Sequence, residues 1–382
     1  MKKYYLIFAL FTLVSCVEEY EPQITGENNM LIIEAMMTDK NEPYEVSLTR
    51  SIKLNDFDEI IYEKNAVVVI SDQNGNSSTL TEVSDGKYQS NPSELIGELG
   101  ISYTLTIYTE DGKIFESDPV TLIDVVDIDS VFITYREEYN YEINRMEKGI
   151  DINVSTKEWT EDEEYLLKWD FIETSKLVPK YSVMSRPEIP PNRPCYNIEK
   201  NNEIITDNTA AYTSNKITKK RIVSFNDDDT KPYFGYSILV RQVALNEAVY
   251  QFWEMLEENI EENGDLFDKI PFNPVSNINC VNDEKTKVFG YFNASRVSEQ
   301  RFSFKPPVFG IYFNNIYDQT CGLISYDLEA FHNYLEGNNM DSTDVYVYDY
   351  TSGVIMFLKN KSCVDCSVNA TTIQEPDYWI FD

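Results

Sequence analysis

Apolar and polar residues alternate through most of this chain, and the alternation gives way twice to a helical period. From Met30 to about Thr121 the apolar runs are short and punctuated by turn residues. Leu31 to Ala35 and Tyr44 to Leu48 come first, then Ala66 to Ile70 and Ser78 to Val83 flank Asn74-Gly75. Asn-Gly favours the primed turns whose twist matches two paired strands. Asp85-Gly86 and Asp111-Gly112 mark two further reversals. Between them Tyr103, Leu105 and Ile107 alternate with Thr104 and Thr106. A period of two puts one set on a core face and the other in water. About seven strands at this spacing is the rhythm of a small sandwich. The pattern predicts an immunoglobulin-like or transthyretin-like β-sandwich over residues 30–122.

A linker of Val, Ile and Asp runs from Leu122 to Asp129, and a second strand series follows. Its apolar positions are Val131, Ile133 and Tyr135; Ile150, Ile152 and Val154; and Leu167, Trp169 and Phe171. Later come Tyr236 to Val240, Val288 to Phe292, Val345 to Tyr348 and Val354 to Leu358. Residues 179–200 are Pro-rich and lack a period, which predicts a loop fixed across the surface. Val249, Phe252, Trp253, Leu256 and Ile260 recur at helical spacing, with Asn246 placed to cap them, Glu247 in the first turn and Asn263-Gly264 as a stop. Leu328, Phe331 and Leu335 mark a shorter helix ending at Gly337. Such an aromatic stripe could line a ligand cleft, but packing against a sheet is its commoner use. The fold class expected is therefore mainly β, with a second β-rich domain over 129–382 carrying one or two packed helices.

The first residues, MKKYYLIFALFTLVSC, pair a charged start with an apolar stretch too short to span a bilayer. Leu13-Val14-Ser15-Cys16 is similar to a bacterial lipobox, in which the Cys thiol takes diacylglycerol before cleavage. Residues 1–15 read as a lipoprotein signal peptide, Cys16 as the lipidated residue and 16–29 as an acidic tether. Glu18, Glu19 and Glu21 follow directly and resemble an export signal for surface display; the alternative is a solvated acidic leader. Acyl chains would then moor an otherwise soluble chain to the outer membrane, facing the cell surface.

Charge narrows the function classes. The chain carries 65 Asp and Glu against 32 Lys and Arg, a formal net charge of −33. Phosphate backbones would be repelled, so nucleic acid is not an expected partner. The single His removes mechanisms that need a pair. GxSxG, Walker and GxGxxG motifs are absent, and no carboxylate pair stands out for glycoside chemistry. Asp227, Asp228 and Asp229 could offer oxygens to calcium, but the run lacks an EF-hand's Gly and distal Glu and reads as a solvated acidic loop. No cofactor is expected. Asp341-Ser342-Thr343 is a weak match to an O-glycosylation sequon.

With Cys16 lipidated, Cys195, Cys280, Cys321, Cys363 and Cys366 remain. An oxidising compartment favours disulfides among them, with at least one thiol left over. Cys363-Val364-Asp365-Cys366 has CxxC spacing but no strand-to-helix context for a redox site. A zinc site recruiting Cys321 and His332 would be incomplete. Spacing does not fix the pairing.

Together these pieces resemble a family of Bacteroidetes outer-membrane lipoproteins known as domain of unknown function 4249. The resemblance rests on the lipobox, on Leu31 to Asp39, Tyr44 to Ser51 and Ala66 to Asp72, and on Pro194-Cys195-Tyr196, where the family usually has Cys-Trp. It extends through Tyr236-Ser237-Ile238, Tyr250 to Trp253, Gly264 to Asp268, Gly290 to Ser295, Cys363 to Cys366 and Pro376 to Trp379. The family's Gly-rich stretch after its CxDC is Ser367 to Thr372 here, without Gly. Cys280 sits where the resemblance implies an unpaired residue. The resemblance brings no catalytic residues. It implies an accessory lipoprotein beside a TonB-dependent β-barrel receptor. The role expected is therefore non-enzymatic binding, with a cell-surface adhesin or matrix protein as the alternative and a carboxylate-dependent carbohydrate hydrolase behind both.

Overall fold

The computed structural model describes residues 29–51, 60–141, 144–160, 164–183, 189, 193–201, 203–263, 276–341, 344–351 and 353–379. The protein is mainly β, with several sheets and few helices. Leu31–Thr38, Glu45–Arg50, Val67–Asp72, Ser77–Ser84 and Ser102–Tyr108 are strands where the alternation predicts them. Their inward residues, among them Ile33, Leu48, Val68, Ile70, Leu105 and Ile107, fill one core. The hairpin at Asn74-Gly75 closes because the Asp72 carboxylate accepts the backbone N–H groups of Asn74 and Asn76, each at 2.8 Å.

Two strands from far along the chain complete this sheet. Val288–Ser295 pairs in parallel with Leu31–Thr38, in register from Leu31↔Val288 to Thr38↔Ser295. Ile278–Cys280 pairs antiparallel with Ile114–Ser117. They stand at opposite ends of the strand order, and Asn277 joins those ends. Its Nδ2 donates to the Phe292 carbonyl at 2.7 Å, while the Phe292 N–H donates to its Oδ1 at 3.0 Å. The carboxamide substitutes for one residue of a strand. Leu122 therefore marks where the chain leaves the sheet, not where the sheet ends.

The second sandwich sets the three-stranded sheet Ile128–Asn140, Arg145–Thr156 and Lys220–Asn226 against Cys195–Lys200, Leu166–Leu177, Tyr236–Ala244 and Val297–Phe304. Ile150, Ile152, Val154, Trp169, Phe171, Ile238 and Val240 meet between them. The Trp169 indole N–H donates to Gln242 Oε1 at 2.8 Å, and Gln242 Nε2 donates to the Val126 carbonyl at 2.5 Å. The buried polar pair thus ties the linker to the core. One expectation is corrected here. Cys195–Lys200, read from sequence as the end of a surface loop, is a strand on the edge of Leu166–Leu177. Its prolines stop at Pro194, so its backbone is free to pair.

The helix Glu247–Asn263 starts where predicted: Asn246 Oδ1 accepts the Val249 N–H at 3.0 Å. Val249, Phe252 and Leu256 are buried against Tyr291, Val243 and Val297. The stripe covers the chain where it passes from the Val288–Ser295 strand of the first sheet to the Val297–Phe304 strand of the second. The Ile260 side chain and Gly264 lie outside the described residues. The second predicted helix, Leu328–Gly337, is capped by Asp327 and buries Phe331 and Leu335 against Val345, Ile355 and Phe357, while Leu328 faces out. Among the described residues no helix is long and apolar enough to cross a membrane.

Candidate functional site

Four of the five expected cysteines gather at the C-terminal end of the fold. Cys195 bridges Cys366, and Cys321 bridges Cys363. The CxxC residues thus belong to separate bridges, and Cys321 is not available to a zinc ion. Cys280, also a disulfide candidate, is a buried thiol in the first core, a strand partner of Phe115. Topology separates it from the other four. The tail is tied further by the Tyr196–Thr372 backbone pair, at 2.8 and 3.1 Å, and by Trp379 set edge-on to Tyr196. Across Ser367 to Thr372 the backbone takes no positive φ, so the missing glycines are not needed.

Asp227, Asp228 and Asp229 sit in a turn, and their carboxylates do different jobs. Asp229 Oδ2 accepts the Asn226 N–H at 2.7 Å, and Asp228 lies 3.7 Å from Arg145. Burial pushes the Asp229 carboxyl above its usual range, against the pull of that N–H. Among the described residues no group of three or more His, Cys, Asp or Glu is placed to hold a metal ion. Cys16, Glu18, Glu19 and Glu21 lie outside the described residues, as does the Ser342-Thr343 part of the sequon.

The surface best built for contact was not singled out in the sequence. Ile128–Asn140 and Arg145–Thr156 form a long hairpin whose third strand, Lys220–Asn226, stops opposite Gly149. The pairs from Glu137↔Lys148 to Asn140↔Arg145 therefore continue as a two-stranded ribbon. Arg136 anchors its base, with Nε 3.0 Å from Asp151 and Nη2 donating to Asn226 Oδ1 at 2.6 Å. On the ribbon Tyr139 stands opposite Met146, and Tyr139 packs edge-on to Tyr141 at 5.0 Å. Tyr141 is 87% exposed and Met146 50%.

A second turn brings another ring to the same place. Val308 and Ile311 bridge each other across Phe309-Gly310, which both hold positive φ, +51° and +76°. A two-residue turn of this kind normally takes Asn or Gly; a bulky residue there costs backbone strain. Phe309 is nonetheless 60% exposed, edge-on to Tyr135 at 6.4 Å. Burial of the ring therefore does not offset the strain. Around these rings five carboxylates, Glu137, Glu138, Glu147, Asp227 and Asp228, stand against the cations Arg136, Arg145 and Lys148, with Arg136 3.5 Å from Glu138 and Arg145 3.9 Å from Glu147 and 3.7 Å from Asp228. The arrangement offers apolar contact with an acidic rim. A signal for it was present in the sequence: the alternation of Tyr135, Glu137 and Tyr139 runs past the length one core requires.

The family model described as a domain of unknown function, DUF4249, matches residues 17–301. That span holds the first sheet, the ribbon and the long helix, and stops before three of the four bridged cysteines. No curated protein is found to match. With well over half of its length in that match, the chain belongs to the DUF4249 family.

Proposed function

We propose that this protein is a lipid-anchored binding protein of the outer membrane, acting as an accessory component of a TonB-dependent transporter through the ribbon end of its second sandwich. The observation that carries the binding reading is the set of exposed rings on the hairpin, Tyr135, Tyr139 and Tyr141, joined by Phe309 on a strained turn. Two bridged cysteine pairs suit an oxidising compartment outside the cytosol. The lipobox-like Leu13 to Cys16 and the glutamates after it supply the anchor and the surface-display signal. Sandwiches that present loops and ribbons on a tether can reach the rim of a neighbouring barrel.

The test is extraction of the tagged full-length protein from its own cells in mild detergent. Stoichiometric co-purification with a β-barrel receptor supports the accessory role. A solitary lipoprotein refutes it, and loss of cell attachment in a deletion strain would then favour an adhesin.

A further inference from the structure

We infer that the outer edge of the Ile128–Asn140 strand, from about Phe132 to Tyr139, is a docking edge that takes an extended, basic segment of a partner polypeptide as an added strand. The inference rests on the binding reading above and adds the place and the chemistry of the partner.

Ile128–Asn140 is an end strand of its sheet, and among the described residues no strand pairs with its other side. Proteins normally blunt so long an edge with proline, lysine or a bulge. This strand has no proline and no lysine, and its only register shift lies between Ile128 and Ser130. Its one positive charge, Arg136, is held by Asp151 and Asn226 and lies 3.5 Å from the exposed Glu138. A regular edge left open in this way is a template for strand addition, with the main chain giving affinity and alternate side chains giving specificity.

Tyr135, Glu137 and Tyr139 share one face of the strand, where Glu137 accepts the Tyr135 hydroxyl at 3.0 Å, and Glu138 stands on the other face beside Arg136. An incoming strand would meet two rings flanking a carboxylate along one face and the Glu138 carboxylate on the other. A segment with apolar residues at every second position and lysine or arginine between them is complementary to both. The net charge of −33 sets the same preference, because it disfavours a second copy of this chain on the edge.

The experiment uses the full-length chain in detergent and a capped decapeptide alternating valine and lysine. A block isomer, five lysines followed by five valines, has the same charge without the alternation. At 50 mM salt the alternating peptide should bind at least tenfold more tightly than the block isomer. It should also slow hydrogen exchange of amides between Phe132 and Tyr139. The variant E137K/E138K should lose at least tenfold of that affinity with an unchanged melting temperature, and E137Q/E138Q should lose less. Equal binding of the two isomers, no binding, or protection elsewhere would overturn the inference. So would a chain that dimerises alone and protects these same amides, because the occupant would then be a second copy. If a receptor co-purifies equally well with E137K/E138K, the edge assignment fails while the accessory role stands. If no receptor co-purifies but the peptide result holds, the reverse is true.

Discussion

Replacing Gly290 with alanine tests whether the parallel pairing of Leu31–Thr38 with Val288–Ser295 is what binds the C-terminal half of the chain into the first sheet. Gly290 holds φ at +118°, where a side chain is strained whatever space surrounds it. It also lies against Ile33, its partner in the ladder. A Cβ on Gly290 would stand 2.7 Å from both the backbone N and C of Ile33, with the carbonyl oxygen closer still. That oxygen would stand at 1.8 Å and ordinary contact begins at 3.4 Å, so the Ile33 carbonyl must retreat by about 1.6 Å. The strain costs about 1–3 kcal/mol. Two buried ladder groups left unpaired add about 1–3 kcal/mol each. A loss of about 3–9 kcal/mol follows, a large share of any domain's stability. Gly75→Ala is the control: φ is +92°, but nothing lies within 4 Å, so only strain of about 1–2 kcal/mol applies. Urea unfolding of both variants measures the difference, and hydrogen exchange at residues 31–38 and 288–295 locates it. If Gly290→Ala costs no more than Gly75→Ala, the close approach of these two strands is not what holds the halves together.

Asn277→Ala should cost about 2–4 kcal/mol, since the Phe292 N–H and carbonyl both lose their partner; a change below 0.5 kcal/mol in urea melts (roughly the scatter of surface substitutions) would mean the sheet ends do not depend on that carboxamide. Removing Cys195–Cys366 by paired serine substitution opens a loop of sequence separation 171, in which the Cys321–Cys363 bridge of separation 42 is nested. With about 130 residues effectively closed, chain entropy gives about 5 kcal/mol for this bridge against about 4 kcal/mol for the inner one, so melts of the two double variants should rank in that order. Asp229→Asn should stabilise the protein at pH 7. Burial raises the folded-state pKa above 3.8, so the wild-type penalty is absent below that pH and grows as pH rises through the raised value; equal stability of wild type and variant across pH 3 to 7 would refute the shift. Cys16→Ser should move the protein out of the membrane fraction and leave a mass without added acyl chains, whereas unchanged fractionation and mass would remove the anchor from the proposal.

How far the fold could be read from sequence depended on the range over which each signal acts. Strands such as Ser102–Tyr108 were legible because alternation is local, and one buried face is enough to fix it. The helix Glu247–Asn263 was legible from its cap and stripe for the same reason. Val288–Ser295 could be recognised as a strand, but its partner could not, because the pattern of a strand says which face is buried and nothing of what lies beside it. Its composition does hold a clue in retrospect. Val-Phe-Gly-Tyr-Phe hardly alternates, and in the structure Phe292 faces the first core while Tyr291 lies under the helix. An unbroken run of this kind marks burial on both faces, which is how parallel strands are commonly placed. The cysteines repeat the lesson: compartment told that they would pair, but only the fold could split Cys363 from Cys366 and strand Cys280 in a different core. The contact surface was hardest to see, because Tyr135, Tyr139 and Met146 obey the same alternation as core residues. What separates them is that Lys220–Asn226 stops opposite Gly149, so the inward-facing pattern continues past the point where there is an interior to face. Side chains patterned for burial and left in water are where a partner would find apolar contact, so the proposed binding role is tested at the overhang rather than in either core.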